Sequence, residues 1–187
     1  MNSEMLPHDF KLQYSEQAIA AALTKMGEEI SGWAGKVFET SGQDILTIPV
    51  LRGGLFVFSD LVRSINCSVE IAPARAWAYE VGQAGVQKEN VGLNLDGVPA
   101  MGRSILIIDD ICDSGRTLKT LTAALLKAGA REVRSAVLIK REIGTETFEP
   151  DWVGFKYTGS EWFVGYGMDL SERFRSLPSI HVVAPRA

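Results

Sequence analysis

Three carboxylates and a turn of small residues lie close together in the stretch ILIIDDICDSGRTL, from Ile105 to Leu118. Asp109 and Asp110 follow an apolar run that is typical of a buried strand, and Asp113 begins a short turn into a helical pattern. In open α/β sheets, ligands bind outside the carboxyl ends of the strands. The stretch therefore places its acids where a small-molecule site is expected.

The turn after these acids suits an anion. It consists of Ser114, Gly115, Arg116 and Thr117. Because the turn leads into a helix, several backbone N–H groups converge at the positive end of the helix dipole, beside two hydroxyls. A phosphate monoester fits there, and the oxygens of Asp109 and Asp110 suit the hydroxyls of a ribose. The structural alternative is that Asp113 caps the helix and the two preceding acids solvate a strand end.

Composition and charge argue against several other classes of protein. The 187 residues, 46% of them hydrophobic, suit a single compact α/β domain over residues 1–187. The formal net charge of −4 argues against a nonspecific nucleic-acid binder, which needs an excess of Lys and Arg. The chain has no GxxxxGK[ST] motif and no GxGxxG motif after a strand, so nucleoside triphosphate and dinucleotide binding lose their main support.

Cysteine usage and the N-terminal sequence predict a cytoplasmic protein. Cys67 and Cys112 form no CxxC pair and lie beside apolar stretches, so a reducing compartment is the simplest interpretation. The N-terminus, MNSEMLPHDF, is polar and acidic where a signal peptide needs a basic start and an apolar run. No later stretch is long enough to span a bilayer, and we therefore expect no membrane partner.

The elements that must position these residues alternate between strands and helices. Apolar residues at helical spacing predict helices over about residues 15–38, 56–65 and 117–127. Short apolar runs predict strands at 45–51, 69–79, 104–108, 133–139, 153–157 and 162–166, and the tail that follows ends in a short apolar run at 180–183. The alternation predicts an α/β fold with a mostly parallel twisted sheet flanked by helices. The polar, glycine-containing segment at about 80–95 has no sustained period, so we expect a mobile loop there with weak β-hairpin character.

The strand, the paired acids and the DSGRT turn resemble the phosphoribosyl pyrophosphate signature of the type I phosphoribosyltransferases. The segment VLRGGLFVFSDLVRSI (Val50 to Ile65) resembles the pyrophosphate-loop region of the hypoxanthine-guanine phosphoribosyltransferases. LIKRE (Leu138 to Glu142) and WFVGYGMDLSERFRSLP (Trp162 to Pro178) are similar to that family's base-binding and C-terminal motifs. The resemblance implies the type I phosphoribosyltransferase fold, with a small base-binding hood at about 150–187.

The resemblance also implies an activity in purine salvage. The enzyme would transfer ribose 5-phosphate from phosphoribosyl pyrophosphate to a 6-oxopurine, hypoxanthine or guanine, and release pyrophosphate. Its partners would be that donor and a purine base, and we expect a homodimer or homotetramer. Asp113 would be the catalytic carboxylate beside N7 of the purine, where it accepts the ring proton as a base.

The other matching positions would bind the two substrates and the Mg²⁺ cofactor. The residues implied for phosphoribosyl pyrophosphate are Arg52, Gly53, Asp109, Asp110, Ser114, Gly115, Arg116, Thr117 and Arg175. Those implied for the base are Lys140, which would donate to the purine O6, Trp162, which would stack on the ring, and Phe163. Asp169 would coordinate Mg²⁺ beside the diphosphate. In this family the loop that matches Arg52 and Gly53 often contains a cis peptide bond.

Three features depart from the family pattern. Ala78-Tyr79-Glu80 stands where the mobile loop usually opens with a Ser-Tyr pair, and the loop that follows is not rich in Ser and Thr. Arg52 replaces the commoner Lys, and Asp109 replaces the commoner Glu, with the charge kept in both cases. Closure over the diphosphate would therefore use different contacts, which leaves an altered substrate or a slow turnover open.

Three other interpretations remain. The first is a nucleotide-binding regulator with this fold, although such relatives often lack the acid at the position of Asp113. The second is an enzyme for another base, xanthine or a pyrimidine, although Lys140 together with Trp162 favours a 6-oxopurine. The third is a flavodoxin-like module without enzymatic activity.

Overall fold

A parallel sheet carries most of the predicted site residues. The computed structural model describes residues 9–72, 75–81, 88–95, 97–142, 144 and 148–183. Its elements in chain order are β1 (Lys11–Tyr14), α1 (Glu16–Ser41), β2 (Ile45–Leu51), α2 (Gly54–Ser64), β3 (Val69–Ile71), β4 (Arg75–Val81), β5 (Lys88–Asn94), β6 (Ser104–Cys112), α3 (Arg116–Lys127), β7 (Glu132–Arg141), β8 (Trp152–Tyr157), β9 (Trp162–Val164) and β10 (Ile180–Val183).

The large sheet has the strand order β5-β4-β2-β6-β7-β8, and β3 also pairs with β2. All of its pairings are parallel except that of β4 with β5. The predicted α/β fold with a mostly parallel sheet is therefore confirmed. The strand predicted at 69–79 is divided into β3 and β4, which pair with successive stretches of β2.

Alternation along β6 assigns its side chains to two cores. Leu106 and Ile108 pack with α1 and α2, whereas Ile105 and Ile107 pack with α3. All four are fully buried, because a central parallel strand is covered by helices on both faces. The sheet thus holds β6 firmly from both sides, and the position of its carboxyl end is determined by packing.

Local signals agree with the bounds of the helices. The Ser15 hydroxyl accepts a hydrogen bond from the N–H of Ala18 at 3.2 Å and caps α1 at its start. Gly42 ends the same helix in the left-handed region, at φ 67°, where a β-carbon is disfavoured. None of the helices in the described residues is long and apolar enough to cross a membrane. The cytoplasmic localisation stays a prediction.

Strands β6 and β7 are longer than the sequence predicted. We expected a strand at 104–108, but β6 continues to Cys112, which pairs with Lys140 of β7. We based the predicted end of the strand on the last residue of the apolar run, Ile108. The hydrogen bonds between the backbones of β6 and β7 do not depend on side-chain polarity and continue past it. Asp109 and Asp110 consequently lie within a strand, and their backbone is held by the ladder.

The small sheet differs from the hood expected at about 150–187. It has the order β1-β10-β9 and is antiparallel throughout. Trp152–Tyr157, which we assigned to the hood, pairs with β7 in the large sheet. The third strand of the small sheet is β1, which the sequence did not predict because KLQY has only four residues, too few for its alternation to stand out. The small sheet therefore joins the two ends of the described chain.

The segment at about 80–95 has the predicted hairpin character. Strands β4 and β5 pair antiparallel, from Arg75 opposite Asn94 to Val81 opposite Lys88. Residues 82–87, in which the predicted mobile loop is centred, lie outside the described residues. A lid function for this segment stays a prediction.

Candidate active site

Asp109 and Asp110 form a buried acidic pair near the carboxyl end of β6. Oδ1 of Asp109 accepts the Asp110 N–H at 2.9 Å, and Oδ1 of Asp110 accepts the Ile111 N–H at 3.0 Å. Burial, and then the charge of Asp110, raise the pKa of Asp109 well above its usual value of 3.8. Burial also raises the pKa of Asp110, against the opposing effects of its hydrogen bonds and of Arg175. The pair is thus poised to accept hydrogen bonds from a ligand's hydroxyls or to hold a proton.

The loop between β2 and α2 lies directly against this acidic pair. A β-carbon on Gly53 would stand 1.9 Å from Oδ2 of Asp110, and one on Gly54 would stand 3.2 Å from Oδ1 of Asp109. The peptide bond between Leu51 and Arg52 is cis. A cis bond in this loop agrees with the expectation from the family resemblance. The backbone at Gly53 and Gly54, which has no β-carbons, is therefore one wall of a site whose floor is the acidic pair.

Residues 166–175, which we call the C-terminal turn, cover the other side of the same loop. Gly167 has φ 99°, and a β-carbon there would stand 2.3 Å from the carbonyl oxygen of Gly53. Nη1 of Arg175 donates to the carbonyl oxygen of Gly167 at 2.6 Å and so holds the turn. The turn also contains residues other than glycine at positive φ, which are Tyr166, Ser171, Glu172 and Phe174. Such conformations cost energy and cluster at functional sites.

Two arginines and two acids form an ion-pair network around this turn. Nη2 of Arg175 lies 2.6 Å from Oδ1 of Asp169 and 3.3 Å from Oε2 of Glu172. Glu172 also pairs with Arg52 of the β2–α2 loop, with 2.6 Å between Nη2 and Oε1. Both cations implied for the diphosphate are therefore next to each other, with Glu172 between them.

Asp113 does not cap α3. Helix α3 begins after Gly115, which has φ 76° and makes no side-chain capping bond. Oδ1 of Asp113 instead accepts a hydrogen bond from Nε of Arg141 at 2.6 Å. A β-carbon on Gly115 would stand 2.6 Å from the β-carbon of Phe148, so this turn is tightly packed. The structural alternative for Asp113, a helix cap, is wrong.

Lys140 lies at the end of β7, beside Cys112. Its side chain is only 7% exposed and pairs with Glu149. A Lys is rarely this buried unless it has a partner. Burial, followed by the charges of Asp109 and Asp113, raises the pKa of Cys112 to about 12, so its thiol stays protonated at neutral pH. Cys112 is therefore a buried structural residue with no reactive thiolate.

Trp162 and Phe163 have opposite environments at the start of β9. Trp162 is 52% exposed, and its indole N–H donates to the carbonyl oxygen of Asp169 at 2.6 Å. Phe163 is buried, and its ring centre lies 4.8 Å from the guanidinium carbon of Arg141. An exposed indole with a fixed edge offers a flat apolar face to a ligand ring.

Comparison with known proteins settles the family. The model of the phosphoribosyl transferase domain matches residues 20–170. The chain belongs to the phosphoribosyl transferase domain family. Its fold is that of the type I phosphoribosyltransferases, as expected from the DSGRT signature.

Individual members of this family are similar over almost the whole chain. A hypoxanthine-guanine phosphoribosyltransferase of Bacillus subtilis is 32% identical over 184 residues, which cover 97% of each chain. The protein of the same name from Mycobacterium bovis is 31% identical over 188 residues, covering 98% of this chain and 91% of that protein. The crystal structure of a hypoxanthine phosphoribosyltransferase from Staphylococcus aureus is 25% identical, with a TM-score of 0.83, and covers 99% of this chain and 97% of that chain.

The candidate site includes four residues that the sequence did not predict. They are Arg141, Glu149, Gly167 and Glu172. Arg141, Gly167 and Glu172 lie within segments that resemble the family's motifs, and a charged residue at the end of an otherwise apolar strand was a further signal for Arg141. The close approach of Gly167 to Gly53 is a tertiary contact, which the motif by itself did not predict.

The acids of this phosphoribosyl transferase domain fit a magnesium ion only in part. Within the described residues, no three His, Cys, Asp or Glu side chains are grouped to hold a metal ion. Asp169 engages Arg175 through Oδ1 and the Glu172 N–H, at 2.7 Å, through Oδ2. A Mg²⁺ ion that arrives with a diphosphate needs just one or two protein carboxylates, because phosphate and water oxygens complete its shell. Asp169 fits that role if it exchanges Arg175 for the ion.

Proposed function

We propose that this chain transfers ribose 5-phosphate from phosphoribosyl pyrophosphate to a 6-oxopurine, hypoxanthine or guanine, in purine salvage. The observation that carries the proposal is the contact of the glycine loop at Gly53 with the acidic pair Asp109 and Asp110, at the carboxyl end of β6. A sugar phosphate that also bears a diphosphate needs such a combination of hydroxyl acceptors and bare backbone. Relatives over nearly the whole chain carry the name hypoxanthine-guanine phosphoribosyltransferase.

The donor would span the site from α3 to the C-terminal turn. Its 5-phosphate would bind the N–H groups and hydroxyls of Ser114 to Thr117 at the start of α3. Asp109 and Asp110 would accept hydrogen bonds from the ribose hydroxyls, and Arg52 and Arg175 would contact the diphosphate. Because Glu172 bridges these two arginines, the diphosphate would replace its carboxylate when it binds.

The base would bind on the side of Asp113 opposite to the donor. Trp162 would stack on the purine, the ammonium group of Lys140 would donate to O6, and the main chain at Phe163 would meet the N1 or N2 edge. Adenine carries an amino group on C6 in place of the oxygen, so a hydrogen-bond donor at Lys140 favours the 6-oxo bases. Glu149 would have to release Lys140, at least in part, as the base enters.

Asp113 would take the N7 proton as N9 attacks the anomeric carbon and pyrophosphate leaves. Positive charge develops on the ribose in this step, so the buried negative charge of Asp109 and Asp110 would be more useful than a protein nucleophile. Mg²⁺ held by the diphosphate and Asp169 would neutralise the leaving group. The segment at about 80–95 would close over the site and keep water away from the activated ribose.

A turnover screen tests the proposal. Phosphoribosyl pyrophosphate would be offered with hypoxanthine, guanine, xanthine, adenine, uracil or orotate, with and without Mg²⁺, and pyrophosphate release measured. Turnover restricted to hypoxanthine and guanine, and dependent on Mg²⁺, is the expected result. Turnover with xanthine or a pyrimidine alone would reassign the base, and binding without turnover would identify a nucleotide-binding regulator.

A further inference from the structure

Arg141 connects three parts of the site through one buried guanidinium group. Its side chain is 10% exposed at the end of β7. Nε donates to Oδ1 of Asp113 at 2.6 Å, Nη2 donates to the carbonyl oxygen of Glu161 at 3.1 Å, and Nη1 donates to the carbonyl oxygen of Gly159. The guanidinium carbon also lies 4.8 Å from the ring centre of Phe163.

These partners belong to two segments that have different roles in the proposed reaction. Asp113 follows β6 and would accept the purine proton, whereas residues 159–161 lead directly into Trp162, on which the purine would stack. The side chain of Asp113 is 52% exposed, so without a partner it would occupy several rotamers in solvent. Arg141 restricts the rotamers of Asp113 through its Nε bond, and its two other bonds hold residues 159–161 just before Trp162.

We propose that Arg141 is a positioning residue, which fixes the Asp113 carboxylate at the correct distance from the purine platform at Trp162. The bond to Nε occupies Oδ1, so Oδ2 is the oxygen that would receive the proton from N7. This inference rests on the proposed function, because it assigns Arg141 a role in that same reaction.

An arginine is required for this arrangement because of its shape. A planar fork can donate to a carboxylate and to two carbonyl oxygens at once, and it can lie flat on an aromatic ring. A lysine in its place would keep the positive charge near Asp113, but it would lose the fixed directions of the other bonds. Charge and geometry can therefore be separated by substitution.

Arg134 provides a matched control on the same strand. Its guanidinium carbon lies 5.0 Å from the ring centre of Trp33 and 5.6 Å from that of Trp152. Its Nε pairs with Oε2 of Glu132 at 3.3 Å. Arg134 resembles Arg141 in contacting an acid and two aromatic rings, which for Arg141 are Tyr157 and Phe163. Arg134 is more exposed, at 38%, and it lies near the start of β7, away from Asp113.

The first test compares Arg141→Gln, Arg141→Lys and Arg134→Gln in the full-length chain, with hypoxanthine or guanine as the base. We expect Arg141→Gln to lower kcat by roughly 10- to 100-fold, the effect of misplacing a reacting group by a small distance. The KM for phosphoribosyl pyrophosphate should change little, because Arg141 does not approach the donor residues. Arg141→Lys should recover part of kcat, and Arg134→Gln should retain it.

Thermal melting of the same variants separates folding from positioning. Because Arg141 is the more buried of the two, Arg141→Gln is expected to lose more melting temperature than Arg134→Gln. Loss of kcat in an Arg141→Gln variant that is still fully folded at the assay temperature, with kcat retained in Arg134→Gln, would support positioning, and wild-type kcat in that folded variant would overturn it. If Arg141→Gln does not fold, Arg141→Lys decides alone: a folded Lys variant with wild-type kcat would overturn the inference, and a reduced kcat at an unchanged donor KM would support it.

A double-mutant cycle with Asp113→Asn tests whether Arg141 acts through Asp113. If it does, Arg141→Gln should have little further effect on kcat once Asp113 has lost its charge, since coupled residues are not additive. Fully additive effects would overturn the inference while leaving the proposed function intact. Absence of turnover by the wild-type enzyme with every base would instead refute the proposed function, and the role of Arg141 would fall with it.

Discussion

Gly53 lies so close to the carboxylate of Asp110 that a β-carbon on Gly53 would stand 1.9 Å from Oδ2. On its other side, a β-carbon on Gly167 would stand 2.3 Å from the Gly53 carbonyl oxygen. Segments from three separate parts of the chain thus meet at Gly53, which has no side chain to hold them apart. The absence of a β-carbon at Gly53 is a matter of space, because its φ of −60° is open to any residue.

Gly53→Ala should therefore weaken donor binding without preventing helix α2 from forming. The new methyl group would push the Asp110 carboxylate away from the ribose, which would cost about 1.5 to 3 kcal/mol for charge-assisted hydrogen bonds, or about 10- to 100-fold in affinity. Titration calorimetry with phosphoribosyl pyrophosphate would measure this loss. Gly35→Ala is the control, since a β-carbon there meets no atom within 4 Å, and unchanged affinity in Gly53→Ala would contradict the prediction.

Asp109→Asn should make the ligand-free protein more stable at neutral pH. Burial and the neighbouring charge of Asp110 raise the pKa of Asp109, so the folded state binds a proton more tightly than the unfolded state. The wild type therefore loses stability as the pH rises from the unfolded value of 3.8 towards the raised pKa. Asn avoids this loss, and its amide oxygen can still accept the Asp110 N–H.

The measurement is the difference in melting temperature between Asp109→Asn and the wild type at several pH values. We expect the difference to grow as the pH rises above 3.8, because the wild type then loses the stability that the Asp109 proton supplies. Glu39→Gln, at an exposed position of α1, is the control. A difference that stays constant with pH would show that the pair does not titrate as inferred.

Asp113→Asn should lower kcat by about 10²- to 10⁴-fold, the usual contribution of a positioned acid or base. Asn keeps the size of the side chain, but it cannot accept the N7 proton or offset developing positive charge. Donor affinity should change far less, because the phosphate would be bound mainly by the N–H groups of residues 114–117. Steady-state kinetics would measure both effects. Near-normal turnover in a folded variant would remove Asp113 from the mechanism.

Lys140→Ala should weaken binding of the purine base while sparing the donor, since only the base would lose a hydrogen bond. The expected rise in the base KM is about 10-fold, the value of roughly one such bond. Lys156→Ala is a close control, because Lys156 is directly opposite Lys140 on β8 and pairs with Glu142 at 3.2 Å. Equal loss of base and donor affinity would argue for a structural role of Lys140.

The sequence by itself determined the local units around the site. The apolar run of β6, the small turn after Asp113 and the helical pattern of α3 are adjacent in the chain, and each is specified by nearest neighbours. The three helices and the parallel sheet followed from the same periodicities. The family motifs then assigned roles to positions such as Lys140 and Trp162, which composition and spacing alone would not have separated from ordinary strand residues.

Only the tertiary structure decided which side chains meet. Arg141 is 28 residues from Asp113, and Arg52 is 120 residues from Glu172. In each pair a guanidinium nitrogen nevertheless lies 2.6 Å from a carboxylate oxygen. The stacking of Gly167 on Gly53 and the recruitment of β1 to the small sheet are of the same kind. Periodicity and capping act over a few residues, whereas these contacts depend on strand order, on register and on the packing of distant turns, which no local pattern encodes.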